Sequence, residues 1–472
     1  MDQLTDMLGT LSGIIWSEYV LIPLLLLTGL FLTIRLRLLQ FHKLFHALWL
    51  ALVRRKEAEG VQGDISHYQA LSTALAATVG VGNIAGAALA IGMGGPGALF
   101  WMWMTGLVGM ATKYSEALLG VKYRQEDSVG KQSGGPMFYL RRGLPGGLGL
   151  TLGVLFAVFG AIAAFGIGNG TQANTVSQQL NNVWGVPTWV AGIAMVIIAG
   201  TVILGGIKSI GRVAAGIVPI MIVLYIGISL TVLVVHVGDI PAALALVVTD
   251  AFTGQAAAGG GAASVFVVIQ AGVARGIFSN ESGLGTGAIA AAAAKTDQPV
   301  RQAMVSMTQT FIDTLIVVTM TCLVIIVTGV WEEDGTGDGA QMTSEALQSG
   351  LSAITPALGT MGGYIVAIAV AVFAFTTILG WSYYGERCID FLVGHKGVPV
   401  YRVVFVAMIY VGAVASLDLI WVASDIANGL MALPNLIGLL LLSPVIVQET
   451  QKYFSNPDWK NPDIKVPDVR QQ

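Results

Sequence analysis

Charge is scarce in this 472-residue chain: 11% of its residues are Asp, Glu, Lys or Arg, against about 25% in a soluble protein. That deficit excludes an ordinary water-soluble domain. Cysteine is nearly absent, with only Cys322 and Cys388, far apart and both in or beside apolar stretches. They read as reduced structural thiols, not as a disulfide framework. The five histidines (His42, His46, His67, His236 and His395) fall in loops or at helix ends and form no HExxH motif, so zinc chemistry has no ligand set. No Ser–His or Cys–His pairing suggests an intramembrane hydrolase. No Walker A motif and no soluble domain are present, which disfavours an ATP-driven pump. No loop resembles a selectivity filter and no ring of like charge is present, which argues against a channel. No basic patch beyond the membrane-flanking loops supports nucleic-acid binding. The start, Met1-Asp2-Gln3, lacks the basic region of a secretory signal, so the first apolar segment is expected to be a retained helix.

What the chain does contain is apolar and small. Hydrophobic residues make up 55% and there are 60 glycines. Small residues let membrane helices approach closely where no hydrophobic force drives them together. A transmembrane helix needs about 20 mainly apolar residues. By that criterion the sequence divides into eleven spans: 14–34, 69–92, 97–122, 147–182, 187–206, 209–236, 263–294, 299–331, 357–393, 399–416 and 418–450. The runs are continuous and do not alternate, so a β-barrel is rejected.

The positive residues sort by side. With the amino terminus outside, Lys and Arg fall in the cytoplasmic loops 35–68, 123–146, 207–208, 295–298, 394–398 and 451–472 or at helix ends beside them. The exceptions are Lys113 and Arg275, inside spans. The opposite loops hold acids instead, such as Asp239, Asp250, Glu332 and Asp338. This is the positive-inside pattern, with amino terminus outside and carboxyl terminus inside. Residues 240–252 and 342–353 read as short external helices, the second after the Gly- and Asp-rich stretch Glu332–Gly339. Residues 454–472 read as a polar tail.

Two spans are interrupted. Ala74–Ala88 contains Thr78-Val79-Gly80-Val81-Gly82-Asn83, and Arg275–Gly287 contains Ser279-Asn280-Glu281-Ser282-Gly283. Each then continues as an apolar half-helix. A glycine costs about 1 kcal/mol inside a helix relative to alanine. Irregular backbone at membrane depth survives only where protein buries it or where it lines a cavity. Paired interruptions in matching halves point to a transporter binding site. Five spans from the first interruption and five from the second give a five-plus-five inverted repeat: 1–34 is an accessory helix, 35–68 a connector, 69–236 the first repeat, 237–262 an external connector, 263–450 the second repeat and 451–472 the tail. A packing seam of small residues is the alternative for Val79–Gly86. The polar Asn83, Ser279, Asn280, Glu281 and Ser282 are not needed for one.

Further polar groups lie within spans. Phe165, Asn169, Gln172, Val176 and Gln179 form a stripe, either lining a substrate path or bonding neighbouring helices. Trp381 could wall a small pocket or simply pack. Asp313, one turn from Gln309, is an intramembrane carboxylate and so a candidate cation or proton site, or a partner for Arg275. Glu281 and Arg275 are expected to pair. Lys113 and Glu116 read as a structural pair or gate.

At the interruptions the chain resembles the alanine/glycine:cation symporter family. The likeness is carried by Ala77–Gly86, Gly94-Gly95-Pro96-Gly97, Gly134-Gly135-Pro136-Met137 and Arg275–Glu281, and extends from about residue 15 to 455. The resemblance implies an all-α, multi-pass inner-membrane protein with the fold of the neurotransmitter:sodium symporters. It also implies uptake of alanine or glycine driven by sodium or protons, with no cofactor and with lipid as surroundings. By the same likeness, Thr78, Gly80, Val81, Gly82, Asn83, Gly276, Ile277, Phe278, Ser279 and Asn280 surround the substrate, with Phe165, Asn169, Gln172 and Trp381 beside them. The N–H groups of Val81, Gly82 and Asn83 face its carboxylate. Oxygens of Ala76, Val79, Phe373, Thr376 and Thr377 hold sodium. Glu281 and Asp313 are left for a second cation or a proton. A non-coupled facilitator is the competing reading.

Overall fold

The computed structural model describes residues 2–17, 19–54, 61–253, 265–332, 339–415 and 417–461. The Glu332–Gly339 loop and the tail beyond 461 therefore lie mostly outside the described residues, as does the end of the 237–262 connector. The chain is built almost wholly of helix. In order these are α1 (Asp2–Ile15), α2 (Leu21–Arg35), α3 (Leu39–Trp49, continued by a π turn to Arg54), α4 (His67–Thr78), α5 (Ala87–Gly94), α6 (Gly97–Lys122), α7 (Pro136–Gly143), α8 (Gly146–Phe165), α9 (Thr171–Trp184), α10 (Thr188–Ile203) and α11 (Gly206–Val235). Then follow α12 (Ile240–Thr253), α13 (Val265–Asn280), α14 (Thr286–Ala292), α15 (Pro299–Thr310), α16 (Thr319–Thr328), α17 (Ala340–Ser352), α18 (Pro356–Val393), α19 (Val398–Val414), α20 (Leu417–Leu441) and α21 (Ser443–Phe454). One small hairpin, β1 (Gln125–Glu126) with β2 (Gln132–Ser133), sits after α6.

Local chemistry sets the helix ends. Ser66 and Gln69 form a reciprocal capping box at α4. Prolines open α7, α15 and α18, where the missing N–H costs nothing. Gly185 and Gly329 close α9 and α16 in the left-handed conformation.

Six helices are long and apolar enough to cross a membrane, or eight if each of two bent pairs counts as one span, among the described residues. Of the remaining expected spans, α6 is diluted by Lys113 and Glu116, α10 is short, and 263–294 is cut in two between α13 and α14. The first span also differs from expectation. Instead of one helix over 14–34 the chain turns after Ile15 and restarts at Leu21. Trp16 anchors that turn by donating its indole N–H to the Asp425 carbonyl at 2.9 Å. The last expected span, 418–450, ends at Leu441; α21 restarts at Ser443 with Pro444 in its first turn. Helices α12 and α17 fall close to the two ranges expected to be short helices between spans.

Helix α6 is the central post. It packs on α2, α5, α12, α13, α14 and α15. Both interrupted spans therefore lean on one rigid rod, and α18 closes the other side against α4, α8 and α9.

Candidate functional site

The first interruption falls at Val79-Gly80-Val81, between α4 and a π turn over Gly82–Gly86 that leads into α5; the two halves bend by 52°. The second falls at Glu281–Gly285. Glu281 (φ 57°), Gly283 (φ 94°) and Gly285 (φ 83°) are all left-handed there, a geometry that glycine adopts without steric cost and glutamate does not. Ser279 and Asn280 thus complete the last turn of α13, and the unwound stretch begins at Glu281, two residues into the expected polar run.

The two interruptions meet. A side chain on Gly82 would press on the Phe278 ring and on the Ser279 backbone, 3.2 and 3.3 Å away. Asp313, in a π-helical segment over Phe311–Val318, ties them together: Oδ1 accepts from Asn83 Nδ2 at 2.6 Å and Oδ2 from Ser279 Oγ at 2.9 Å. The Thr314 hydroxyl adds a third bond at 2.9 Å. Asp313, Asn83 and Ser279 are all fully buried. Asp313 therefore bonds to Asn83, Ser279 and Thr314, not to the alternative partner Arg275. Gln309 donates to the Thr78 hydroxyl and to the Ala74 carbonyl.

The backbone donors near Gly82 are partly committed. Val81 N–H donates to Gln172 Oε1 at 3.2 Å, and Asn83 N–H to the Gly80 carbonyl at 3.1 Å. Of the three amides expected to face a carboxylate, Val81 and Asn83 thus already have acceptors within the protein. Gln172 reaches the interruption because its own helix is distorted: a π turn over Gly166–Gly170 divides α8 from α9, and Gln172 Nε2 donates to Ile167 O at 3.0 Å. Gly168 admits the Trp381 indole so closely that a Cβ there would overlap it. Phe165 and Asn169 turn elsewhere. The ring of Phe165 packs on Tyr401 and Phe405, and Asn169 donates to the Phe405 carbonyl at 2.7 Å. Asn169 thus takes the interhelical role. Gln179 likewise bonds Ser344 on α17.

The expected cation ligands are partly assembled. The Thr377 hydroxyl lies 3.1 Å from the Ala76 carbonyl and 3.0 Å from that of Phe373. Gly80 faces the same hydroxyl, with no room for a Cβ. Thr376 lies one position round α18; its hydroxyl meets the Phe373 carbonyl at 2.9 Å and the Met221 sulfur of α11 at 3.7 Å. Among the described residues its hydroxyl makes no hydrogen bond to α4. Three oxygens are therefore within a few ångström of one another, a donor type that suits a hard cation.

The expected Arg275–Glu281 pair does not form. Arg275 lies 3.9 Å from Asp425 in α20. The left-handed turn at Glu281 swings its carboxylate away, to accept from Thr286 Oγ1 at 2.7 Å. Gly276 also faces away from the second interruption, against Met102 and Thr105 of α6, while Ile277 accepts the Glu281 N–H through its carbonyl. Asn280 caps the turn, Oδ1 accepting from Ser282 N–H at 2.9 Å.

Lys113 and Glu116 do more than pair. They lie 3.9 Å apart, fully buried. Lys113 donates to the Glu281 carbonyl at 3.0 Å; Glu116 Oε1 accepts from the N–H groups of Gly283 and Gly285, both at 3.0 Å, and from Asn435 Nδ2 at 2.8 Å. These side chains satisfy the polar groups that the second interruption exposes, as low-dielectric surroundings require. Asn435, beside Pro434 in an otherwise apolar span, is the member that sequence reasoning missed. Arg124 was also missed: its guanidinium donates to the carbonyls of Ala292, Ala294 and Thr296, closing the end of α14.

Two half-helices that meet at a buried carboxylate, inside a bundle of apolar spans, define a class: a multi-pass membrane transporter built around broken helices. Comparison with known proteins agrees. Residues 1–465 match the model of the sodium:alanine symporter family. The sodium/alanine symporter AgcS of Methanococcus maripaludis is 50% identical over 451 residues, covering 95% of this chain and 97% of that protein. GlnT of Bacillus subtilis, named a probable sodium/glutamine symporter, is 36% identical over 451 residues, covering 95% and 91%. The crystal structure of MhsT in complex with L-phenylalanine superposes with a TM-score of 0.58 at 14% identity, over 83% of this chain and 99% of that one. The likeness to MhsT is one of fold. The chain belongs to the sodium:alanine symporter family, and it is a transporter, not an enzyme.

Proposed function

We propose that this chain imports a small neutral amino acid, alanine or glycine, by secondary active symport with a cation, in eleven crossings with the amino terminus outside and an inverted five-plus-five repeat. The observation that carries the reading is the double hold of Asp313 on Asn83 and Ser279. One carboxylate couples the two interrupted helices, so a change at either break is felt at the other. The substrate carboxylate binds at the Gly82 amide, beside Phe278 and Ser279. The cation binds among the oxygens of Thr377, Ala76 and Phe373, one residue layer away across Gly80. Sodium fits these neutral oxygens without burying a further carboxylate. Asp313 serves as a second cation ligand or proton carrier when the hydrogen bonds to it are exchanged.

Coupling follows from linkage. If each ligand stabilises the arrangement that holds the other, a cation gradient drives the amino acid uphill. The polar tethers from Gln172, Lys113 and Glu116 keep the unwound backbone satisfied in the absence of ligand, so the site can be empty without a desolvated amide.

The test is uptake of labelled alanine and glycine into proteoliposomes under an imposed sodium gradient, repeated with a proton gradient. Accumulation above equilibrium under either gradient supports symport. Flux that only equilibrates, with no dependence on either cation, favours a facilitator and rejects the proposal.

A further inference from the structure

Helix α3 is at odds with a connector in water. It leaves α2 at an angle of 83° through a corner where Arg37 (φ 55°) and Leu38 (φ 59°) are both left-handed. A helix at right angles to a membrane span runs in the plane of the membrane surface. One face of α3 and its π-turn extension, carrying Gln40, Ala47 and Ala51, is buried, and α3 packs on α15. The opposite face carries Phe41, Phe45, Trp49 and Leu52, spaced by four, four and three residues, hence along one helical stripe. Phe45 is 84% exposed. Water does not favour an uncovered aromatic stripe, whereas the interface between headgroups and acyl chains does.

At the corner, a cleft of about 290 Å³ opens between the α2–α3 junction and α21. Arg35, Arg37, His42 and Lys43 line it, with Thr450 and Gln451 opposite, and no acidic side chain. Arg35, Arg37 and Lys43 have no carboxylate partner among the described residues. Lys43 lies over the rings of Trp459 and Phe454, at 4.4 and 4.8 Å, and Lys460 is near enough to repel it. Glu449, the neighbouring acid on α21, is spent on Lys122 at 2.7 Å. Burial and then Lys460 lower the affinity of Lys43 for its proton, and burial followed by Lys460, Lys43 and Arg301 does the same to His46. The cluster is a positive field without its counter-charge.

We propose that this cleft binds the headgroup of an anionic phospholipid while the Phe41–Phe45–Trp49 stripe of α3 rests among acyl chains of the same leaflet. Charge complementarity selects the lipid: a phosphate that carries net charge answers Arg35, Arg37 and Lys43, and its acyl chains extend towards the adjoining apolar stripe. Basic residues at a membrane surface are drawn to anionic headgroups. Because α3 also packs on α15, which continues through the π segment to Asp313, the lipid sits one helix away from the candidate transport site.

Native mass spectrometry of the purified full chain tests this, titrating phosphatidylglycerol and phosphatidylcholine with identical acyl chains. The wild type is expected to retain phosphatidylglycerol at least about fivefold better than phosphatidylcholine. The triple variant Arg35→Gln/Arg37→Gln/Lys43→Gln is expected to lose that preference. Arg35→Gln alone serves as a milder variant if the triple one does not assemble, and should reduce the preference partially. Equal retention of both lipids by the wild type overturns the proposal. So does an unchanged preference in the triple variant, or, where that does not assemble, in Arg35→Gln. A Phe45→Cys variant that cross-links rapidly to a second copy in membranes also overturns it, because the stripe would then face protein.

Discussion

Asn83 and Asp313 are 230 residues apart and joined by a 2.6 Å hydrogen bond, amide Nδ2 to carboxylate Oδ1. The same carboxylate accepts from Ser279, so one side chain spans both interrupted helices. Hydrogen bonds to an ionised acceptor are roughly twice as strong as neutral ones. Asp313→Asn places a donor where an acceptor is needed and breaks at least one of these bonds. Alanine uptake by this variant is expected to fall about a hundredfold, equivalent to about 2.8 kcal/mol, while size-exclusion behaviour is retained. Uptake within a factor of two of wild type would detach Asp313 from transport.

The two adjacent threonines of α18 should behave differently. Thr377→Ala removes the hydroxyl held between the Ala76 and Phe373 carbonyls, and the sodium concentration for half-maximal uptake should rise about tenfold, or about 1.4 kcal/mol. Thr376→Ala removes a hydroxyl that faces Met221 and should change it less than twofold. Sodium titration of uptake in the two variants separates them.

Gln172 holds the Val81 amide. In Gln172→Leu that amide is left buried without an acceptor, which costs about 1–3 kcal/mol. The apparent constant for alanine is expected to rise several-fold with little change in the sodium dependence, read from initial rates over a range of alanine concentrations.

Glu116 answers two amides of the second interruption, Asn435 and Lys113. Breaking a buried ion pair by removing one partner costs about 3–5 kcal/mol. Glu116→Ala should therefore lower the melting temperature strongly in detergent, whether or not ligand is present. A melting temperature equal to wild type would remove the assigned role.

A second network lies beside the β1–β2 hairpin. Asp127 accepts from Arg387 at 3.0 Å. Burial disfavours the Asp127 charge, but the Lys131 and Val129 amides and the Arg387 guanidinium outweigh it and hold the carboxyl below its ordinary value. A depressed value means stabilisation that is complete above the ordinary carboxylate range and lost as pH falls through the lowered one. Asp127→Asn should melt below wild type from about pH 8 to about pH 5, with the gap closing below about pH 4. Melting curves of both proteins across that range check the sign.

Six to eight of the spans were legible because hydrocarbon imposes length and apolarity, and the interruptions because Gly80, Gly82, Gly283 and Gly285 crowd polar neighbours at span depth. What hydropathy does not encode is the direction of a side chain on a distorted helix. The π segments at Gly166–Gly170 and Phe311–Val318 rotate everything beyond them, and so bring Gln172 and Asp313 to the site while Asn169 turns to Phe405. The left-handed Glu281 separated it from Arg275, a change of hand that a glutamate does not announce. Thr376 and Thr377 were equal in sequence and differ only because one helical position turns a side chain by about 100°.

The central claim is that cation and amino acid occupy neighbouring sites whose affinities depend on each other. Equilibrium binding tests it most directly: labelled alanine bound by the purified chain at low and high sodium, and sodium bound with and without alanine, both repeated at two pH values. The account predicts that one cation tightens alanine binding about tenfold or more and that alanine tightens that cation's binding by the same factor, as linkage requires. Alanine binding of equal strength at every sodium concentration and at both pH values would contradict it.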